Sequence, residues 1–581
     1  MSSLISWIPG YRRATTTDQV ATSHAQFQSI WKKEWAWRQE QKLEEDEDDD
    51  DSLKAYLPRV DAKTQASRLA YWNDIISQLD KIDLQSLSPE EQVNYGVYHA
   101  QIEVYVNSQK FKDYEKPLNA DSSFWANHAS AARATFRTAK DYSAYLAQLQ
   151  EVPRYFSEQI DNMRAGYKRG FTPPKITLEG RDGSISSVAD AKSAEETIYY
   201  EPFKLIPSVI PAAEQDKLRV QATKAINDFV LPPYRKLLVF FREEYYPNAR
   251  ETLAAEAFPD GKAYFAAKIK EYTTLDSGPE SIHKIGIDEM ARIRSEMLET
   301  ITQSGYKGDF QSFLDFLRTD PQFYAKTPEQ LLHQAAWIAK EFDGVSGKYF
   351  GRLPRQRFAI RPVPLDQAPF YTSGRGGPGV YLVNTYDLPS RALYSLPALT
   401  LHESAPGHAF QMPLALEHDY LPPFRKAYIS AYGEGWALYC EYLGKEMGIY
   451  HTPYDVFGML SYQAWRAARL VVDTGIHSLG WTRGQAQTYL RDNTALSAHE
   501  IETEVDRYIA WPGQSLSYYL GQLSILKCRR KAEEALGEKF NIRAFHDTVL
   551  ETGSIPLPLL EKHIDDFIAG GGAGPYPEEE K

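Results

Sequence analysis

Apolar positions recur every three to four residues along most of the 581-residue chain. Phe27, Trp31 and Trp35 stand four apart, and Leu69, Trp72, Ile76 and Leu79 follow at three and four. Each set therefore falls on one face of a helix and predicts core rather than a cofactor box. Ser88-Pro89-Glu90-Glu91 joins a capping serine, proline at the first helical position and a glutamate three residues on, which predicts a helix start. Long helical patterns resume from about residue 216 to 350. Residues 170–190 are polar and punctuated by Gly and Pro, and predict an excursion over the surface. Strand signals arise only at 358–363 and 380–385. The 374–379 loop between them is glycine-rich but lacks the Lys-Ser/Thr of a phosphate cradle. It reads as a tight connection, or as a strand edge that could pair with an extended peptide by main-chain hydrogen bonds. The pattern predicts a mainly α protein, a large helical fold with a small β element. Its divisions are a tail (1–20), a helical region (21–350), a second region that holds the strand signals (351–570) and a second tail (571–581).

Composition narrows the function classes. The chain is 43% hydrophobic, 25% charged and carries net −13, so it has ample core and no basic stripe for nucleic acid or an anionic membrane surface. The acidic run at 44–51 predicts a solvated loop, because the ligand spacing and turn glycine of a calcium loop are missing. Cys440 and Cys528 lie far apart and read as buried thiols. No apolar run approaches the ~20 residues of a membrane span. Nor does the start of the chain look like a signal peptide, which predicts a cytoplasmic location, or a periplasmic or secreted one if a leader was removed.

The chemistry concentrates at His402-Glu403-Ser404-Ala405-Pro406-Gly407-His408. Zinc-peptidase helices set two histidines at i and i+4, with glutamate after the first. Here the second histidine is at i+6, which on a straight helix leaves it roughly 120° off the His402 face. Pro406-Gly407 can bulge the helix and return His408 to that face. Farther on, Tyr432-Gly433-Glu434-Gly435-Trp436 starts a helix that carries Glu434 and Glu441 on one face among apolar residues. Buried carboxylates need partners, and a cation would be one. His402, His408 and Glu434 would form a two-histidine, one-glutamate set that leaves zinc an open position for water. Glu441 then orients a histidine, or is a solvated helix residue. Tyr518, with Tyr519 as fallback, is the candidate donor to an oxyanion. Asp473 and His477, four apart on one face, read as an outer-shell and oxyanion pair or as a satisfied core pair. Arg375, Arg469 and Arg507 could each clamp a substrate carboxylate, and Arg507 could equally pair with Glu504.

Four segments together resemble the bacterial "domain of unknown function 885" family, whose members resemble gluzincin-type zinc peptidases. They are His-Glu-Ser-Ala-Pro-Gly-His (402–408), Glu-Gly-Trp-Ala-Leu-Tyr (434–439), Val-Val-Asp-Thr-Gly-Ile-His (471–477) and Pro-Gly-Gln with Tyr518 and Gly521, in the same order and with fitting gaps. Weaker similarity, as at Glu280-Ser-Ile-His283-Lys-Ile-Gly286, extends it from about residue 20 to 570. The resemblance implies a mostly helical fold with a metal site deep in a cleft, residues 21–350 forming one wall, residues 351–570 the catalytic zinc-binding region, and the small β element near the active site. It implies zinc on His402, His408 and Glu434, with Glu403 as general base. Family members often have a second histidine where this chain has Ala409, and many carry secretion or lipoprotein leaders. The expected activity is hydrolysis of peptide bonds, of short peptides above folded proteins. The alternatives are a non-peptide amide as substrate, or a peptide-binding protein that keeps the fold without turnover.

Overall fold

In a computed structural model, which describes residues 17–41, 54–119, 122–365, 368–370 and 372–576, the apolar stripes do become helices. Phe27, Trp31, Trp72 and Leu79 are buried, with Trp35 and Ile76 packed beside them. Ser88 caps helix Pro89–Phe111 by accepting the Glu91 N–H. The acidic run at 44–51 lies outside the described residues.

Two hydrophobic cores organise the chain. One gathers buried residues from 118 to 249. The other joins residues 27–111 to nearly everything from 255 to 567. Packing thus divides near 112–118 and 249–255. Residues 170–190 depart from the predicted surface excursion. Leu178 and Ile185 are fully buried in the first of these cores, and residues 182–189 form a helix. Polarity of composition misled there, because a few well-spaced apolar residues suffice to bury a short helix.

The β element is a three-stranded sheet of β1 (Ala359–Pro362), β2 (Gly374–Gly377) and β3 (Val380–Val383), in the order β1-β3-β2. β1 runs parallel to β3 and β2 antiparallel to it. The glycine-rich segment is thus itself the edge strand.

Four long helices frame the motif. Helix Pro453–His477 lies against Pro279–Gln303, where His283 Nδ1 meets the Thr474 hydroxyl at 2.9 Å. Helix Ser430–Met447 crosses Ser517–Leu536 at a contact made by two glycines. A Cβ on Gly435 would stand 2.5 Å from Gly521 Cα, so no larger residue fits without moving the helices apart. That contact brings Glu434 and Tyr518 towards the same point. Cys440 and Cys528 are both free and buried.

Candidate metal centre

The helix carrying His402 does not bulge; it stops. Helix Leu396–Glu403 ends, residues 404–407 turn, and helix His408–Leu416 begins anew. Within the turn the Gly407 N–H donates to the Leu401 carbonyl at 3.0 Å. A side chain at Gly407 would overlap the His402 carbonyl. Proline and glycine therefore do return His408 to His402, as the spacing requires, but by starting a second helix. The rings stand 4.9 Å apart and nearly perpendicular.

Glu434 Oε2 lies 3.5 Å from His402 Nε2 and 3.3 Å from His408 Nε2. Ligands held 2.0–2.1 Å from a tetrahedral ion are about 3.3–3.4 Å from one another. Glu434 Oε2 thus stands from each imidazole nitrogen at about the spacing of two ligands on one zinc. Glu403 also has its carboxylate within 4.8 Å of both histidines, so two triads share the imidazoles. A hydrogen bond separates their roles. Glu403 Oε2 accepts the Gly376 N–H of β2 at 2.6 Å, which draws it aside and leaves Glu434 between the rings. A side chain on Gly376 would overlap the Glu403 backbone; only glycine lets the strand come this close.

Glu441 is fully buried and accepts from His402 Nδ1 at 2.8 Å, with Arg466 3.8 Å away. It is no solvated residue. By holding Nδ1 as a donor it turns Nε2 towards Glu434 and His408. Burial alone would keep His402 neutral, but Glu434, Glu441 and Glu403 outweigh it and push its pKa up to about 10. Burial likewise opposes ionisation of Glu434, yet His408 and His402 hold its carboxyl well below the usual range. Three carboxylates around two imidazoles make a charge arrangement that a divalent cation fits. His402, His408 and Glu441 are buried, whereas Glu403 and Glu434 are partly exposed, so the centre is approached from their side.

Tyr518 packs its ring nearly parallel to His402, 6.4 Å between centroids. The Arg469 guanidinium covers the same ring at 4.5 Å, and Arg507 Nη2 is 3.5 Å from the phenol oxygen. Tyr519 points elsewhere, donating to Glu289 at 2.8 Å, and so cannot serve as the fallback. Arg469 is buried and tied to Glu504 and Tyr508. Arg507 bonds Gln514 at 2.9 Å and lies 3.5 Å from Glu504. Arg375 is exposed on β2, next to Gly376.

The paired reading of Asp473 and His477 is corrected. Both ring nitrogens of His477 are committed to the main chain, Nδ1 accepting from Ala255 N–H and Nε2 donating to Tyr508 C=O. Burial pushes its pKa down to about 4, and no nitrogen is left for an oxyanion. Asp473 accepts from Gly513 N–H and the Ser515 hydroxyl, so it secures the turn that leads into the Tyr518 helix rather than a metal ligand. Burial lifts this carboxyl to about 7 against the pull of those two donors. The proton it gains on folding stabilises the protein fully below about pH 4, and this contribution is lost as pH rises through 7. Asp473→Asn should therefore flatten the dependence of stability on pH between those limits, as read by denaturant unfolding; an unchanged slope would refute the assignment.

Tyr428 is not singled out by any sequence motif. It precedes helix Ser430–Met447, fills the space beside Gly433 and hydrogen-bonds Glu434, with its ring 6.4 Å from that of His408. One signal was available: the glycine beside Glu434 leaves room for a ring.

Residues 45–564 match the model of a family described as bacterial proteins of unknown function, DUF885. The chain belongs to that family. The DUF885 match spans all four motif segments, the metal centre included. Two solved structures are similar over almost their whole length. One is described as "the putative lipoprotein from Colwellia psychrerythraea", at 26% identity and TM-score 0.84, covering 95% of this chain and 99% of that one. The other, "a putative lipoprotein of unknown function from Shewanella oneidensis", has 18% identity and TM-score 0.65, covering 94% and 99%. A search of curated proteins returns no match. Among the described residues no helix is long and apolar enough to cross a membrane.

Proposed function

We propose that this DUF885 protein is a zinc-dependent hydrolase that cleaves peptide bonds in short peptides, on the gluzincin plan. The observation that carries the reading is the 3.3 and 3.5 Å spacing of Glu434 Oε2 from two imidazole nitrogens, with a third carboxylate held aside by Gly376. His402, His408 and Glu434 would hold the ion, which when bound supplies an acidified water and polarisation of the scissile carbonyl. Glu403 takes the proton from the attacking water and returns it to the leaving amine, its free oxygen directed by the Gly376 N–H. Tyr518 donates its phenol hydrogen to the developing oxyanion. The register of β2 turns Gly376 N–H away from β3 and towards the centre. An extended peptide added to that edge would pass Glu403. A non-peptide amide remains the rival substrate. The lipoprotein descriptions of the two similar structures favour a site of action outside the cytoplasm.

The test begins with metal analysis of protein purified without chelators. The expected result is about one zinc per chain. Cleavage of di- and tripeptides should be lost on chelation and restored by zinc, and the unfolding temperature should fall when the ion is removed. A protein that takes up no divalent ion would end the proposal; one that holds zinc but cleaves no peptide would shift it to the rival substrate.

A further inference from the structure

A cavity of about 570 Å³ lies on the seam between the two cores, apart from the metal centre. Its size is that of small-molecule sites, roughly 300–1,000 Å³. Aromatic side chains line it from both sides, Phe124 and Tyr155 from one core and Tyr264 from the other, with Tyr272 and Trp511 beside them. None of His402, Glu403, His408, Glu434 or Tyr518 reaches it.

Two lysines face this space, and their charges are handled differently. Lys268 is neutralised twice, by Asp113 at 2.6 Å and Glu271 at 2.7 Å. Lys116 has no carboxylate partner among the described residues; its ammonium lies 5.9 Å from the centre of the Phe171 ring. Burial, with Lys268 and Arg250 nearby, lowers its pKa to about 8 against the pull of Asp113. A positive charge left without an ion pair in an aromatic cavity is costly, and an anion that entered would relieve the cost.

We propose that this cavity binds a small organic monocarboxylate with an aromatic body, its carboxylate on Lys116 and its ring among Tyr155, Tyr272 and Trp511. Lys116 makes no ion pair among the described residues, although Asp113 and Glu271 lie near enough to pull on it; a single carboxylate would complete it, and the walls call for an aromatic group. The wall at Trp511 and Pro512 continues directly into Gly513 and Gln514, the turn held by Asp473 and Arg507. An occupant would therefore rest against the segment that carries Tyr518.

Titration calorimetry on the full chain tests this with 3-phenylpropionate and its uncharged analogue 3-phenylpropanamide. The carboxylate should bind at least about tenfold more tightly than the amide, a difference set by one charge-assisted contact. Lys116→Met should remove that preference and Lys116→Arg should keep it. The preference should also survive treatment with chelator, because it does not depend on the metal centre. Equal binding of the two compounds by the wild-type protein, or no binding of either, would overturn the proposal even if Lys116→Met failed to fold. Carboxylate binding that disappears with the metal would overturn it as well, since the carboxylate would then have been bound at the metal centre.

Discussion

Glu403→Gln is expected to give a protein that keeps its zinc and its fold but loses hydrolysis by about a hundred- to ten-thousandfold, the usual contribution of a positioned general base. The replacement is nearly isosteric, and its carbonyl oxygen can still accept the Gly376 N–H that Glu403 accepts at 2.6 Å. What it cannot do is take a proton. Ligand spacing around Glu434 should be untouched, because Glu434 and not Glu403 stands between the two Nε2 atoms. Zinc content by elemental analysis and peptide cleavage under single-turnover conditions separate the effects. Loss of zinc together with activity would exchange the roles given to the two glutamates, and full activity would remove Glu403 from the chemistry.

Gly407→Ala should have the opposite signature, with the metal lost first. The added methyl would overlap the His402 carbonyl and crowd that of Leu401. The turn must open, and His408 then leaves its place 3.3 Å from Glu434. Zinc affinity, measured by competition with a chromogenic chelator, should fall by at least about a hundredfold, as expected when a ligand rather than its support is displaced. The stability cost should stay near the ~1–3 kcal/mol of local overpacking. Wild-type affinity in this variant would mean that the turn between the two histidines tolerates rearrangement.

The helices and the gathering of His402, His408 and Glu434 were legible in the sequence because both depend on local spacing. Apolar residues at three and four declare a face, and His402, His408 and Glu434 are chemically distinctive wherever they occur. The need for a break at Pro406-Gly407 followed from angular arithmetic, although the form of the break did not. Partners from distant segments were not legible. Nothing near Glu403 announces Gly376, and nothing near His477 announces the Ala255 N–H, 222 residues away. Asp473 and His477 do share a helical face, but shared spacing leaves open what that face meets, and here it meets backbone. Tyr518 and Tyr519 show the same limit. Adjacent residues on a helix point about 100° apart, and only the packing of the neighbouring helices shows that Tyr519 goes to Glu289.

The break between Glu403 and His408 has a mechanical consequence. Two histidines on one helix would arrive pre-aligned, and an ion would add little to their order. Here they belong to two separate rods joined by a four-residue hinge, with Glu434 on a third. An ion seated among them would add a crosslink to helices otherwise joined by packing and by the Gly407–Leu401 backbone hydrogen bond. Metal occupancy and the rigidity of the reaction chamber would then rise and fall together.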